Sequence, residues 1–357
     1  MKRNETRPIQ VGGLQIGHQN RVVLQSMTNV PVKDTAKSRD QILELEDYGC
    51  ELIRVAVLDE EDSRSIAALK KEIHIPVVAD IHFNHLLALN ALDQGVDAIR
   101  INPGNIGERS HTEAVVRKCK ERNVPIRIGI NSGSLEKPLI EKYGGPCAAA
   151  MVESAKRHVQ ILEDLDFHDI CLSFKSSNVP LTIASYEAAA EAFPYPLHLG
   201  VTEAGSFTGS AVKSSAALGT LLHEGLGDTI RVSVSGPPKE ELVIAKQLLR
   251  CMDLYDNTPD LIACPTCGRI QYDMLPLVKE IEEYLQTIHE NITVAIMGCP
   301  VNGIQEAGRA DIGVAGSKDG GILFRKGEII RQIPTSELAS SLKAEIQAFL
   351  KERKESL

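Results

Sequence analysis

The sequence lacks the features that would send it into or across a membrane. Its opening residues, MKRNETRPIQVGGLQIG, contain no apolar signal-peptide core, and no run approaches the roughly 20 apolar residues that span a bilayer. The expected location is the cytoplasm, without a membrane partner. Positive charge is also in deficit. With 39 Lys and Arg against 48 Asp and Glu, a formal net charge of −9, nonspecific attraction to nucleic acid is not expected. Any anionic ligand must then be drawn by a local cluster. Low-complexity tracts are missing too, and 43% hydrophobic with 24% charged residues describes a globular chain.

What is present is a repeat of β-branched runs. Eight occur: VVLQS (22–26), ELIRVA (51–56), PVVAD (76–80), DAIRI (97–101), PIRIGI (125–130), HDICLSF (168–174), PLHLGV (196–201) and TIRVSV (229–234). Between them lie segments such as TAKSRDQILELEDYG, with apolar residues at helical spacing. Such alternation specifies a parallel sheet, and eight units in about 230 residues is the count of a TIM-type (β/α)8 barrel, placing the chain in the α/β class. A doubly wound open sheet is the alternative, but the first βα turn has no Gly-rich dinucleotide fingerprint.

Alternate residues of a strand face opposite sides. One side is apolar, as in Ile53 with Val55 and Ile126 with Ile128 and Ile130, and is expected to pack on helices. The other carries Arg54, Asp80 with His82, Arg100 with Asn102, Arg127 with Asn131, Ser173 with Lys175, Thr202, and Arg231 with Ser233. These are expected inside the barrel at its C-terminal rim, where barrel enzymes build their sites. Asp80 and Glu203 cannot neutralise Arg54, Arg100, Arg127, Lys175 and Arg231 together. The surplus points to a small, strongly anionic substrate, because guanidinium forks match phosphate oxygens. Gly205 and Gly209, before a helix, add backbone N–H donors.

The pattern changes near DNTPD, dividing the chain into a barrel over 1–257 and a smaller α+β domain over 258–357. Eight cysteines in a reducing compartment are poor disulfide candidates. Most are scattered and read as small buried hydrophobes. Cys264 and Cys267 in ACPTCGR, and Cys299 in MGCPVNG, instead fall in two Gly/Pro-punctuated loops. No fourth Cys or His completes a zinc set, whereas Glu306 follows Cys299 closely. Three thiolates and a carboxylate suit a 4Fe-4S cluster with one hard, exchangeable ligand; a structural zinc site is the alternative.

The segments QSMTN (25–29), ADIHF (79–83), RINPGNIG (100–107), IRIGINSGSLE (126–136), LSFKSS (172–177), VTEAG (201–205), IRVSVSG (230–236), ACPTCGR (263–269) and GCPVNG (298–303) run along almost the whole chain. In order and wording they resemble the bacterial 4-hydroxy-3-methylbut-2-enyl diphosphate synthase family of the methylerythritol phosphate isoprenoid pathway. The resemblance implies a barrel joined to a 4Fe-4S cluster-binding domain. It also implies reductive ring opening and dehydroxylation of 2-C-methyl-D-erythritol 2,4-cyclodiphosphate, with two electrons arriving from flavodoxin or ferredoxin. A head-to-tail homodimer is implied as well, consistent with a DNTPD linker of about five residues that reaches at most roughly 18 Å. Carried onto this sequence, the family's substrate-binding residues are Arg54, Asp80, His82, Arg100, Arg127, Asn131, Lys175, Arg231 and Ser233. Its catalytic carboxylates are Glu203 and Glu306, and its cluster ligands Cys264, Cys267, Cys299 and Glu306. One departure is visible: VNGIQEAG stands where the family reads VNGPGEA, with the spacing of Glu306 kept.

Overall fold

The structure, a computed structural model, describes residues 4–299, 307–317 and 320–355. Two units divide the chain, Met1–Leu254 and Tyr255–Leu357. The first begins with a hairpin absent from the expectations above, β1 (Ile9–Val11) and β2 (Leu14–Ile16), with Val11 paired to Leu14. Gly12 supplies the positive φ (+56°) of its turn, and a Gly-Gly pair between apolar residues is the signal by which it can be found. Ile9, Val11 and Ile16 pack with Val23, Leu52, Val78, Ala98 and Cys171. Those residues open their strands, so the hairpin plugs the N-terminal end of the barrel.

All eight expected strands follow: β3 (Val23–Met27), β4 (Leu52–Val57), β5 (Val77–Ile81), β6 (Ala98–Ile101), β7 (Ile126–Asn131), β8 (Ile170–Lys175), β9 (His198–Leu199) and β10 (Thr229–Ile230). They form one sheet in the order β8-β7-β6-β5-β4-β3-β10-β9, and a parallel bridge between Leu172 and Leu197 joins its ends. The result is a closed barrel. The last two strands are shorter than their apolar runs, although beyond Leu199 the Thr202 N–H still donates to the Ser176 carbonyl at 3.2 Å, in register with the Leu172–Leu197 bridge.

The surrounding helices are α1 (Thr35–Asp47), α2 (Glu60–Leu69), α3 (His85–Asp93), α4 (Arg109–Arg122), α5 (Lys137–Tyr143), α6 (Ala148–Glu163), α7 (Val179–Ala192), α8 (Phe207–His223) and α9 (Pro238–Cys251). Asp34, Asp59, Asn84 and Asn178 accept backbone N–H groups at the starts of α1, α2, α3 and α7, fixing each entry from the preceding strand. The parity reading holds: Ile53, Val55, Ile126, Ile128, Leu172 and Phe174 are all 0% exposed. They supply the sheet-to-helix core.

The second unit contains β11 (Asp260–Ala263), α10 (Leu275–Leu285), β12 (Thr293–Met297), β13 (Ile312–Ser317), β14 (Gly320–Arg325), β15 (Glu328–Ile333) and α11 (Leu338–Glu355). Its sheet runs β11-β12-β13-β14-β15, parallel through β13 and antiparallel after it. Strand β11 corrects the reading of these residues as linker and cysteine loop. It is a half-exposed edge strand of four residues, too short to show a period. A tight hairpin joins β14 to β15 at FRKGEI, with Lys326 and Gly327 at φ 49° and 83°. Helices α10 and α11 cover the sheet through Leu277, Ile281, Leu342 and Ile346, packed on Ile296, Val314 and Leu323. No described helix is long and apolar enough to cross a membrane.

Candidate active site

The inward face of the barrel gathers the expected cations. Arg54 on β4 and Arg100 on β6 flank Asp80 on β5, at 3.7 Å and 3.4 Å. His82 stands 3.5 Å from the same carboxylate and 3.2 Å from Arg100 Nη1, half open to solvent. Burial opposes the Asp80 charge, but His82, Arg54 and Arg100 outweigh it and hold the carboxyl well below its ordinary range. Arg54 is pushed down to about 9, first by burial and then by Arg231, Arg127 and Arg100, against the pull of Asp80. Its Nη2 also lies 2.9 Å from Met27 Sδ. Gly129 leaves room for Arg100, since a Cβ there would sit 2.5 Å from Nη2.

Lys175 ends β8, opposite Asn131 at the end of β7. It is 7% exposed, and burial together with Arg54, Arg231, Arg127 and Arg100 pushes its ammonium well below the ordinary lysine range. Gly200 makes space for it; a Cβ there would meet Lys175 Nζ at 3.3 Å. Arg231, just past β10, is among the described residues the one barrel cation with a full partner. Its Nη2 and Nε donate to Glu241 at 2.6 and 3.1 Å, and Ser26 Oγ donates to the same carboxylate at 2.9 Å. Glu241, 3% exposed in the first turn of α9, takes the neutralising place the sequence reading gave to Glu203.

Arg127 departs from its expected place at a strand C-terminus. It is the second residue of β7, 5% exposed, and its Nη1 donates to Gln25 Oε1 at 2.6 Å. Among the described residues its Nε and Nη2 have no partner, nor do Gln25 Nε2 and His198 Nε2, all buried. His198 is 0% exposed, with Nδ1 2.6 Å from Thr229 Oγ1. Burial, then Arg127, Lys175, Arg54 and Arg231, keep its ring neutral. Strand parity could have found Gln25 and His198, which share the inward register of Arg127; neither is an expected site residue. Unpaired buried donors are costly, so the three idle nitrogens of Arg127 and Gln25, side by side inside the barrel, describe a place made for an acceptor.

Ser233 is half-buried, and its carbonyl accepts from Ser210 Oγ of α8 at 2.7 Å. Glu203 is exposed in the loop before α8, without an ion pair or side-chain hydrogen bond among the described residues. Its φ of +53° is a strained backbone for a non-glycine residue, of the sort that collects at functional sites. Gly205 is in the same loop at φ +96°, while Gly209 lies within the first turn of α8.

In the second unit, Cys264 directly follows β11 and Cys299 follows β12 after Gly298. These strands are parallel neighbours with Ala263 paired to Ile296, so both thiols leave the same end of the sheet. Gly298 N–H donates to Cys264 Sγ at 3.1 Å, and a Cβ on Gly298 would crowd Ile270 at 3.1 Å. Cys267 is exposed between them in sequence. Glu306 lies outside the described residues. Among the described residues no three His, Cys, Asp or Glu side chains are drawn together as a metal group. Even so, soft thiols at one sheet end, with a backbone N–H aimed at a sulfur, fit an iron–sulfur centre.

A closed parallel barrel with charged side chains converging beneath its C-terminal mouth is the build of a (β/α)8-barrel enzyme. The family model described as the GcpE TIM-barrel domain matches residues 6–246, and that of the GcpE protein C-terminal domain matches 260–348. The chain belongs to the GcpE family. It is 51% identical to the 4-hydroxy-3-methylbut-2-en-1-yl diphosphate synthase (flavodoxin) of Bacillus mycoides, covering 98% of this chain and 96% of that one. The protein of the same name from Bacillus anthracis is 51% identical over 98% and 95%. Among solved structures, a sialic acid synthetase from Leptospira borgpetersenii aligns at TM-score 0.51 and 12% identity, covering 79% of this chain and 98% of that one. A dihydropteroate synthase from Stenotrophomonas maltophilia aligns at 0.51 and 13%, covering 70% and 97%. At such identities these two likenesses establish the barrel fold alone.

Proposed function

We propose that the chain catalyses the reductive ring opening and dehydroxylation of 2-C-methyl-D-erythritol 2,4-cyclodiphosphate to 4-hydroxy-3-methylbut-2-enyl diphosphate. The observation that carries this reading is the barrel's uncompensated positive charge. Arg54, Arg100, Arg127, Lys175 and Arg231 face Asp80 and Glu241, and Arg127 keeps two buried N–H donors unpaired. A cyclic diphosphate supplies the missing negative charge and acceptors. Asp80, His82, Asn131 and Ser233 would orient the polar carbon skeleton. Glu203, unpaired and carried on a strained backbone, would hold or deliver a proton at the substrate hydroxyl through a carboxylate oxygen.

Cys264, Cys267, Cys299 and Glu306 would hold a 4Fe-4S cluster. When bound, the cluster supplies two electrons in succession and a Lewis-acidic iron. Flavodoxin, named with the Bacillus relatives, or ferredoxin would deliver them. Eight cysteines in a chain of this length suit a reducing cytoplasm. The test is anaerobic turnover of the cyclodiphosphate with reduced flavodoxin, paired with metal and acid-labile sulfide analysis. The expected result is the linear allylic diphosphate, with about four irons and four sulfides per chain. Zinc without sulfide, or iron-loaded protein inert toward the cyclodiphosphate, would overturn it.

A head-to-tail homodimer belongs to the same proposal. Leu58, Phe83, Leu86 and Phe207 are 73%, 74%, 55% and 43% exposed, and each lies in a loop or first helical turn following a barrel strand. Exposed apolar side chains beside a substrate mouth suit cover by a second copy. Sedimentation velocity at assay concentration should show a dimer, and a fully active monomer would refute it.

A further inference from the structure

Helix α6 carries Ser154 and His158 one turn apart on the same face, where residues four apart are neighbours. His158 is 4% exposed, and no motif in the sequence singles it out. Its Nδ1 accepts the Gly104 N–H at 3.0 Å. The approach is close enough that only glycine fits, since a Cβ at position 104 would stand 2.8 Å from the ring. The opposite ring nitrogen, Nε2, lies 3.5 Å from Glu136 Oε1, and Ser154 Oγ donates to that oxygen at 3.1 Å. With Nδ1 accepting, the proton of the neutral ring is on Nε2, facing the carboxylate. Burial lowers the ring's basicity more than Glu136 raises it, which preserves the acceptor.

The two residues held in this way belong to different loops. Gly104 is the centre of the 3₁₀ turn Pro103–Asn105, which begins directly after Asn102 at the end of β6. Glu136 ends the loop that contains the 3₁₀ turn Ser132–Ser134, which begins after Asn131 at the end of β7. The strands feeding these loops carry Arg100 and Arg127. Asn102 Oδ1 in turn accepts the Gly129 N–H at 3.1 Å, and Gly129 is the residue against which Arg100 lies. A shift of either loop therefore reaches the cations directly.

We propose that His158 is a positioning residue: one buried imidazole on α6 bridges the Gly104 and Glu136 loops and so sets Asn102, Asn131 and Arg100 for the anion. It touches no substrate, and it acts by fixing where the loops sit. The kinetic part of its test rests on the reaction proposed above, whereas the structural part does not.

Two substitutions separate the acceptor from mere filling. His158→Leu keeps apolar volume without an acceptor, and His158→Asn places Oδ1 near the position of Nδ1. In full-length protein, hydrogen exchange at the Gly104 amide should quicken about tenfold or more in His158→Leu and return to within about threefold of wild type in His158→Asn. KM for the cyclodiphosphate should rise about tenfold in the leucine variant while kcat changes by less than about threefold, with recovery in the asparagine variant. Should His158→Leu fail to fold, Glu136→Ala removes the second anchor at a part-exposed position and should show the same KM-weighted loss. Equal exchange and equal KM in the leucine and asparagine variants would overturn the proposal. A wild-type chain inert toward the cyclodiphosphate would count against the reaction and leave the exchange comparison to decide the bridge.

Discussion

Arg127→Met is expected to destroy substrate binding and to make the barrel more stable. The two effects share one cause. Arg127 is 5% exposed, paired only through Nη1 to Gln25, and surrounded by other cations, so the free protein carries a desolvated charge with two idle N–H groups. A methionine of similar length removes that cost and leaves one unpaired amide oxygen on Gln25. The barrel should gain about 1–2 kcal/mol, which raises its unfolding midpoint by roughly 2–6 °C. Binding should suffer in the opposite direction. Charge-assisted hydrogen bonds contribute about 1.5–3 kcal/mol each, so losing two predicts a fall in affinity of at least about a hundredfold. Calorimetric titration with the cyclodiphosphate, beside thermal unfolding of the ligand-free variant, reads both. A structural arginine would give the reverse: lower stability with binding intact.

The barrel is legible in the sequence because its signal is local. Each strand is a short β-branched run, and the segments between the runs carry apolar residues at the helical spacing, a pattern that can be read without knowing its neighbours. The β1–β2 hairpin escapes that reading because three-residue strands carry no measurable period, even though Gly12-Gly13 marks the turn. Strand β11 escapes for a related reason. Its residues are half-exposed, and only pairing with β12 makes them a strand.

The site divides along the same line. Parity alone brings Arg54, Arg100, Lys175 and Arg231 inside, because a strand's alternation is built into its backbone. It cannot say which charges are paired. Glu241 lies ten residues beyond Arg231 on the following helix, and its carboxylate meets the guanidinium only because α9 packs against β3. The depth of Arg127 is equally hidden, since where the pairing of β7 begins depends on its neighbours. Asp80 shows the converse case. Flanked by Arg54 and Arg100, it is a counter-ion whose charge is secured against burial, which suits holding those cations in place better than exchanging a proton.

Cys264→Ser should abolish turnover while leaving the cyclodiphosphate bound with wild-type affinity, the complement of Arg127→Met. The thiol follows β11, its sulfur accepts the Gly298 N–H, and the strand beside it leads to Cys299. A serine hydroxyl keeps the shape but is a harder and far less acidic donor, which suits iron–sulfur ligation poorly. Iron and acid-labile sulfide should fall below about a tenth of wild type, and turnover by at least about a thousandfold, because the electrons would reach the substrate through the cluster that this thiol helps to hold. The barrel's cations all belong to the first unit, so its affinity for the diphosphate should stay within about threefold. Melting of the second unit is the sharper discriminator. If Cys264 were only a half-buried thiol packed beside Met274, the serine variant would lose little stability and keep both its iron and its turnover. Retained iron with normal activity would therefore remove Cys264 from the ligand set, and with it the assignment of the second unit as the redox centre.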